Sequence, residues 1–208
     1  GGPRSEAGGI VNEVVIVPNL IQSRQYSALG DYLVSCLGYT RGKDLFEFGY
    51  DWRHDVRLSA RRLAEAVERW QVEAPITIIA HSLGTLVTRY YVEKLGGKRS
   101  VERIILMGGP HYGTAKGLSA ILLGPGLLPF GMGAERMRRV LATFPSAYQI
   151  LPTYPCVFDQ HDRRIDVLRD ESWLPDPQRP LLRVARSFRR ELGTASSVPA
   201  VSIFGYGL

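Results

Sequence analysis

Blocks of apolar and polar positions separate strands from helices along this chain. Ile76–Ile79 is a β-branched apolar run of strand length, the kind expected where a strand is buried on both faces. From Leu83 the apolar positions become 83, 86, 87, 90 and 91, the stripe of a core-facing helix, and Gly96-Gly97 supplies its stop. Upstream, Val11–Val17 reads as a buried strand ending at Pro18. Residues 22–37 read as a helix with Tyr26, Leu29, Leu33, Cys36 and Leu37 on one side, and Leu45–Phe48 as a second strand. A helix over 58–70 carries Leu63, Val67 and Trp70 on one stripe. Downstream come a strand at Arg103–Met107, a short Arg-rich helix over 135–143, a helix at Leu181–Leu192 and a strand at Val198–Phe204. Strands alternating with helices predict βαβ units, hence an α/β fold on a doubly wound, mostly parallel sheet. Ligands of such sheets bind at the carboxyl ends of the strands.

One stretch breaks the alternation. Gly117–Ala134 holds no charged residue, but seven Gly or Pro residues interrupt it, so a continuous membrane-spanning helix is not expected. It reads as part of a cap packed on the core, doubling as an apolar lid, and residues 115–180 as a cap or lid insertion. The 208 residues are otherwise read as one domain, 1–208, partial at its C-terminal side.

Composition narrows the function classes. Apolar residues make up 45% and charged residues 22%, a balance that supports a packed core and excludes a disordered chain. The formal net charge of +6 is spread over Arg pairs at 61–62, 138–139, 163–164 and 189–190. Without a basic block or interleaved aromatics no nucleic-acid partner is expected; peripheral contact with anionic lipid fits better. Cys36 and Cys156 show no metal-ligand spacing and read as free thiols, so neither metal nor cofactor is expected. GGPRSEAGG has no signal-peptide character, which leaves a cytoplasmic protein or a piece of a longer one.

Candidate chemistry centres on Ala80-His81-Ser82-Leu83-Gly84. A serine at a sharp corner between a buried strand and a helix has its hydroxyl lifted clear of the backbone. The N–H groups that follow lie at a helix N-terminus, where developing negative charge is stabilised. Small residues two positions either side, here Ala80 and Gly84, keep the turn free of collisions.

Six segments occur in order: Val17-Pro18-Asn19-Leu20, Phe48-Gly49-Tyr50-Asp51-Trp52-Arg53, the Ser82 corner, Gly109-Pro110-His111-Tyr112-Gly113-Thr114, Phe144 to Pro152, and Ile203-Phe204-Gly205-Tyr206-Gly207. Together they resemble the lecithin:cholesterol acyltransferase family, in a bacterial-type form, over nearly the whole chain. The resemblance implies an α/β-hydrolase-like fold with a cap or lid insertion. It also implies Ser82 as the catalytic nucleophile and an oxyanion hole from the backbone N–H groups of Leu20 and Leu83. The family commonly has Gly where this chain has Asn19. Asp51 and Arg53 are expected to be a structural ion pair near the site, because acyl transfer needs no arginine there. His111 is expected to stabilise a turn at the same sheet edge. His81 should point away from the hydroxyl, and His54 and His161 read as surface groups.

A serine nucleophile requires a base and an orienting carboxylate, and in this fold the chain order is Ser, then Asp or Glu, then His. The family's terminal strand motif falls at 203–207, so the acid and the histidine, with the C-terminal strands, are expected beyond Leu208. His161 with Asp159 or Asp162 is the alternative within the chain. The function so implied is that of a lipid-ester O-acyltransferase, lipase or phospholipase working through a serine acyl-enzyme. Two other readings stay open: a catalytically silent lipid- or partner-binding module, and a generic carboxylesterase.

Overall fold

The structure, a computed structural model, describes residues 13–17, 21–24, 27–72, 75–124 and 134–205. The chain forms two compact units: Gly1–Asp51 with Ala66–Val72, and Trp52–Glu65 with Glu73–Leu208.

In the first unit, strand β1 (Glu13–Val17) pairs antiparallel with β2 (Ile21–Arg24). The strand expected over Val11–Val17 is therefore present, with residues 11 and 12 outside the described set. The helix expected from residue 22 starts later, as α1 (Ser27–Leu37), because residues 21–24 satisfy their backbone groups by pairing back on β1. The apolar side expected of α1 is also corrected: Leu29, Cys36 and Leu37 are exposed, and the buried residue is Gly30. With no Cβ at Gly30, the Arg41 guanidinium lies against the helix backbone, 2.9 Å from Asp31 and 3.4 Å from Glu47. Leu45–Phe48 is not a strand. A tight turn, in which Thr40 O accepts from the N–H groups of residues 43–45, leaves one isolated bridge between Arg41 and Leu45. The apolar side chains bury themselves by ring packing instead: Phe46 stacks on Trp70 at 5.0 Å, and Phe48 on Tyr50 at 5.8 Å.

Helix α2 (Val56–Trp70) belongs to the second unit as far as Glu65 and to the first from Ala66. The rest of the second unit is built on three parallel strands in the order β3 (Ile76–His81), β4 (Val101–Met107), β5 (Ala200–Ile203). The register sets His81 beside Met107 and Met107 beside Ile203, so the carboxyl ends of all three strands align. Helix α3 (Leu83–Lys94) makes the crossover from β3 to β4 and is followed by Gly96 at φ 85°, the stop expected there. It is buried at every residue from Thr85 to Val92, well beyond the apolar stripe that predicted it. β3 is less enclosed than its composition suggests: Ile79 is 37% exposed, so the strand is not buried on both faces.

Between β4 and β5 the chain makes a long excursion through α4 (Ala115–Leu123), α5 (Ala134–Leu141), α6 (Pro145–Gln149) and α7 (Arg179–Leu192). α7 buries Leu182, Ala185, Phe188 and Leu192, spaced to lie along one side, and its tail turns at Gly193, φ 65°. Leu118, Ile121, Tyr148, Leu151, Leu182 and Ala185 form a core for this excursion, in which each leucine or isoleucine is worth about 1.5–3 kcal/mol when fully buried. Tyr148 is fully buried within it, its hydroxyl 2.9 Å from Ala142 O and 3.0 Å from Gln178 Oε1, and burial pushes its pKa up to about 12.

Candidate active site

Strand β3 ends at His81, α3 begins at Leu83, and Ser82 is the single residue between them. Its backbone stands at φ 51°, ψ −125°, a conformation that side chains rarely adopt. Two contacts hold it there. Ser82 N–H donates to Met107 O on the adjacent strand at 2.9 Å, and Ser82 O accepts from the Thr85 N–H and from Thr85 Oγ1 at 2.7 Å. The side chain is spent on neither: Ser82 is exposed, its hydroxyl caps no helix N–H, and it has no hydrogen-bond partner among the described residues. Leu83, as the first helical residue, presents an N–H with no acceptor inside the helix. An exposed hydroxyl on a strained turn beside a free amide is the arrangement that covalent acyl chemistry uses.

The second unit gathers three of the recurring segments around this corner's sheet. Gly108 N–H donates to Ile203 O at 2.8 Å, which ties the end of β4 to the end of β5. The loop that follows is clamped to the Phe144–Pro152 segment. Thr114 N–H donates to Ile150 O at 2.8 Å, Thr153 N–H to Tyr112 O at 2.9 Å, and Gly113, at φ 79°, passes directly against the Leu151 carbonyl. Trp52 packs edge-on against Phe144 at 5.3 Å, and the buried Gln149 Oε1 accepts from Val56 N–H at 2.8 Å, at the start of α2. Trp52 and Arg53 are exposed. Asp51, the last residue of the first unit before the chain crosses over, is buried. Leu20, with Pro18 and Asn19, lies outside the described residues.

His111 is half-buried in the loop after β4. Both ring nitrogens are buried and have no partner among the described residues. Burial first, then the charges of Arg89 and Arg189, lower its pKa below the ordinary value and keep it neutral. The turn it sits in is held from outside. Arg189 Nη1 donates to His111 O at 2.6 Å and Nη2 to Pro110 O at 3.3 Å, and burial followed by Arg89 takes the Arg189 pKa down to about 10. Arg89, buried in α3, donates to Ala195 O at 2.7 Å and Gly193 O at 3.3 Å. Thr85, Arg89 and Arg189 were not singled out from sequence. For Arg89 the signal was weak, since Glu93 one turn on reads as a surface partner for it; for Arg189 there was none, since it reads as half of a surface pair.

The remaining histidines differ. His81 is exposed at the end of β3, with Nε2 3.8 Å from the point a Cβ on Gly108 would occupy. His54 is half-buried. His161 is exposed beside Asp159, whose oxygens accept from the N–H groups of Arg163 and His161 and from the Arg163 guanidinium; the Arg163 backbone N–H first, then the other two, hold the carboxylate below its usual range. That carboxylate pins a loop and does not orient the imidazole. Cys36 and Cys156 are free, and no cluster of three metal-ligating residues occurs among the described residues. No helix there is long and apolar enough to cross a membrane.

Comparison with known proteins bears on family and fold. The family model described as lecithin:cholesterol acyltransferase matches residues 17–175. Over 97 residues the chain is 30% identical to the human lysosomal phospholipase A and acyltransferase, a stretch that is 42% of this chain and 23% of that protein. It is 28% identical over 130 residues to the lecithin-cholesterol acyltransferase-like 4 protein of Arabidopsis thaliana, 55% of this chain and 24% of that one. The matched stretches thus span about a quarter of these relatives' length. In structure the chain is similar to one in the crystal structure of a Tle4–Tli4 complex, with a TM-score of 0.55 and 16% identity, covering 73% of this chain and 43% of that chain. The fold is α/β-hydrolase-like.

Proposed function

The chain belongs to the lecithin:cholesterol acyltransferase family, and from that premise we propose that Ser82 is the nucleophile of a lipid-ester acyltransferase or phospholipase. Ser82 Oγ attacks the ester carbonyl and gives its proton to a histidine. The tetrahedral oxyanion is met by the N–H groups of Leu83 and Leu20, and the alcohol leaves with the histidine's proton. The acyl group passes to a second alcohol in transfer, or to water in hydrolysis. In this reading the acid and then the histidine follow Ser82 in chain order, as they do in this fold. Residues 115–180 act as the cap through which the acyl chain reaches Ser82, and Asp51 and Arg53 hold the corner without touching substrate. A lipid or other acyl ester is the substrate class, and the formal net charge of +6 supports attraction to anionic lipid.

The observation that carries the reading is the backbone of Ser82. A non-glycine residue at φ 51° costs about 1–3 kcal/mol, and its hydroxyl repays none of that through a structural hydrogen bond. Such strain at a silent position is expected to be relieved by glycine, which weighs against a module without chemistry. The test is covalent labelling of the intact protein with a fluorophosphonate. One phosphonyl adduct on the peptide carrying Ser82 is expected, with none in Ser82→Ala. An adduct that persists in Ser82→Ala refutes the assignment.

A further inference from the structure

We infer that the outer faces of α4 and α5 form a docking surface for an anionic lipid bilayer; this rests on the lipid-ester reading and specifies which part of the molecule meets the lipid. The two helices pack against each other. On α4, Leu118 and Ile121 face the core while Lys116, Leu122 and Leu123 are exposed, Leu123 by 72%. On α5, Met137 and Val140 are exposed at i, i+3 spacing, flanked by the exposed Arg136 and Arg139. Large apolar side chains standing in water beside cations on one helix face are what an interfacial helix requires. The apolar groups enter the headgroup boundary and the cations meet the charged surface.

Charge complementarity selects the occupant. α5 has three arginines against a single carboxylate, Glu135, which pairs with Arg138 at 2.7 Å and stands 3.8 Å from Arg139. Arg136 has no carboxylate partner among the described residues. At the C-terminal end of the same helix a groove of about 440 Å³ opens between Arg138 and Arg139 on one wall and Pro175, Pro177 and Leu181 on the other. Asp176, between Pro175 and Pro177, is already paired with Arg179 at 2.7 Å. A cationic rim over apolar walls suits a phosphodiester headgroup with the root of its acyl chains.

The test is co-sedimentation of the intact Ser82→Ala protein with vesicles of phosphatidylglycerol and phosphatidylcholine, and with phosphatidylcholine alone. Binding only to the anionic vesicles, weakening as salt rises, is expected. Arg136→Glu with Arg139→Glu should lower affinity at least about tenfold, as should Leu123→Ser with Met137→Ser and Val140→Ser. The control reversal Arg61→Glu with Arg62→Glu, on α2, should change it less than about twofold. All substituted side chains are at least partly exposed, and circular dichroism checks that each variant is folded. Absent binding to anionic vesicles, variants that bind like the parent, or a control that loses as much as they do would each overturn the proposal. Because the parent here lacks the Ser82 hydroxyl, failure of the nucleophile assignment and failure of the docking surface appear in different experiments.

Discussion

Ser82 and Gly113 both stand at positive φ, for opposite reasons. At Ser82 the strained turn frees a side chain for use; at Gly113 the absence of a side chain lets two loops touch. A methyl group at Gly113 would overlap the Leu151 carbonyl and would demand φ 79° of an alanine. Gly113→Ala is therefore expected to destabilise the second unit by at least about 3 kcal/mol, with chemical denaturation as the measurement. A loss below about 1 kcal/mol would mean that the clamp between these loops is looser than described. Local features were legible where a short pattern has one mechanical meaning, as at the strand-to-helix corner Ala80-His81-Ser82-Leu83-Gly84. Residue roles were illegible where a side chain acts over a long separation. Arg189 supports the carbonyls of Pro110 and His111 from α7, and no local pattern encodes a contact of that range.

Helix α7 shows how one element fastens several others. Glu191 accepts both arms of Arg57 at 2.8 Å, the Tyr90 hydroxyl at 3.0 Å and the Ser187 hydroxyl at 2.8 Å, so α2, α3 and α7 meet at one carboxylate. The Arg57 hydrogen bonds come first among the causes that hold its pKa at about 2, against an ordinary 4.5. A carboxylate with a depressed folded-state pKa stabilises the fold fully above its unfolded value and loses that contribution as pH falls toward the folded one. Stability measured by urea unfolding should therefore decline between about pH 4.5 and 2, and Glu191→Gln should flatten that part of the profile. An unchanged slope in Glu191→Gln would remove Glu191 as its source. Helices such as α3 and α7 were legible because a 3.6-residue period survives whatever they pack on. Leu45–Phe48 was not: an apolar run states that side chains are buried, and here rings bury them without any strand pairing.

Across the whole molecule, the α/β class, the family and the order of β3, α3, β4, α5, α7 and β5 followed from the sequence, whereas α4 and α6, inside the stretch read as a cap, did not. The division into two units did not, since α2 runs through it with no break in its pattern. The sheet of the second unit has a further consequence. β4 is paired on both sides, whereas β3 and β5 each have an outer edge without a partner strand among the described residues, and β5 is exposed at all four positions. In heavy water these strands should run as three clocks set at different speeds. Amides along β4 keep their protium longest, and the outward amides of β3 and β5 exchange early, so a mass-spectrometric time course would draw the strand order as bands. Slow exchange along the outside of β5 would instead reveal a neighbour lying against it.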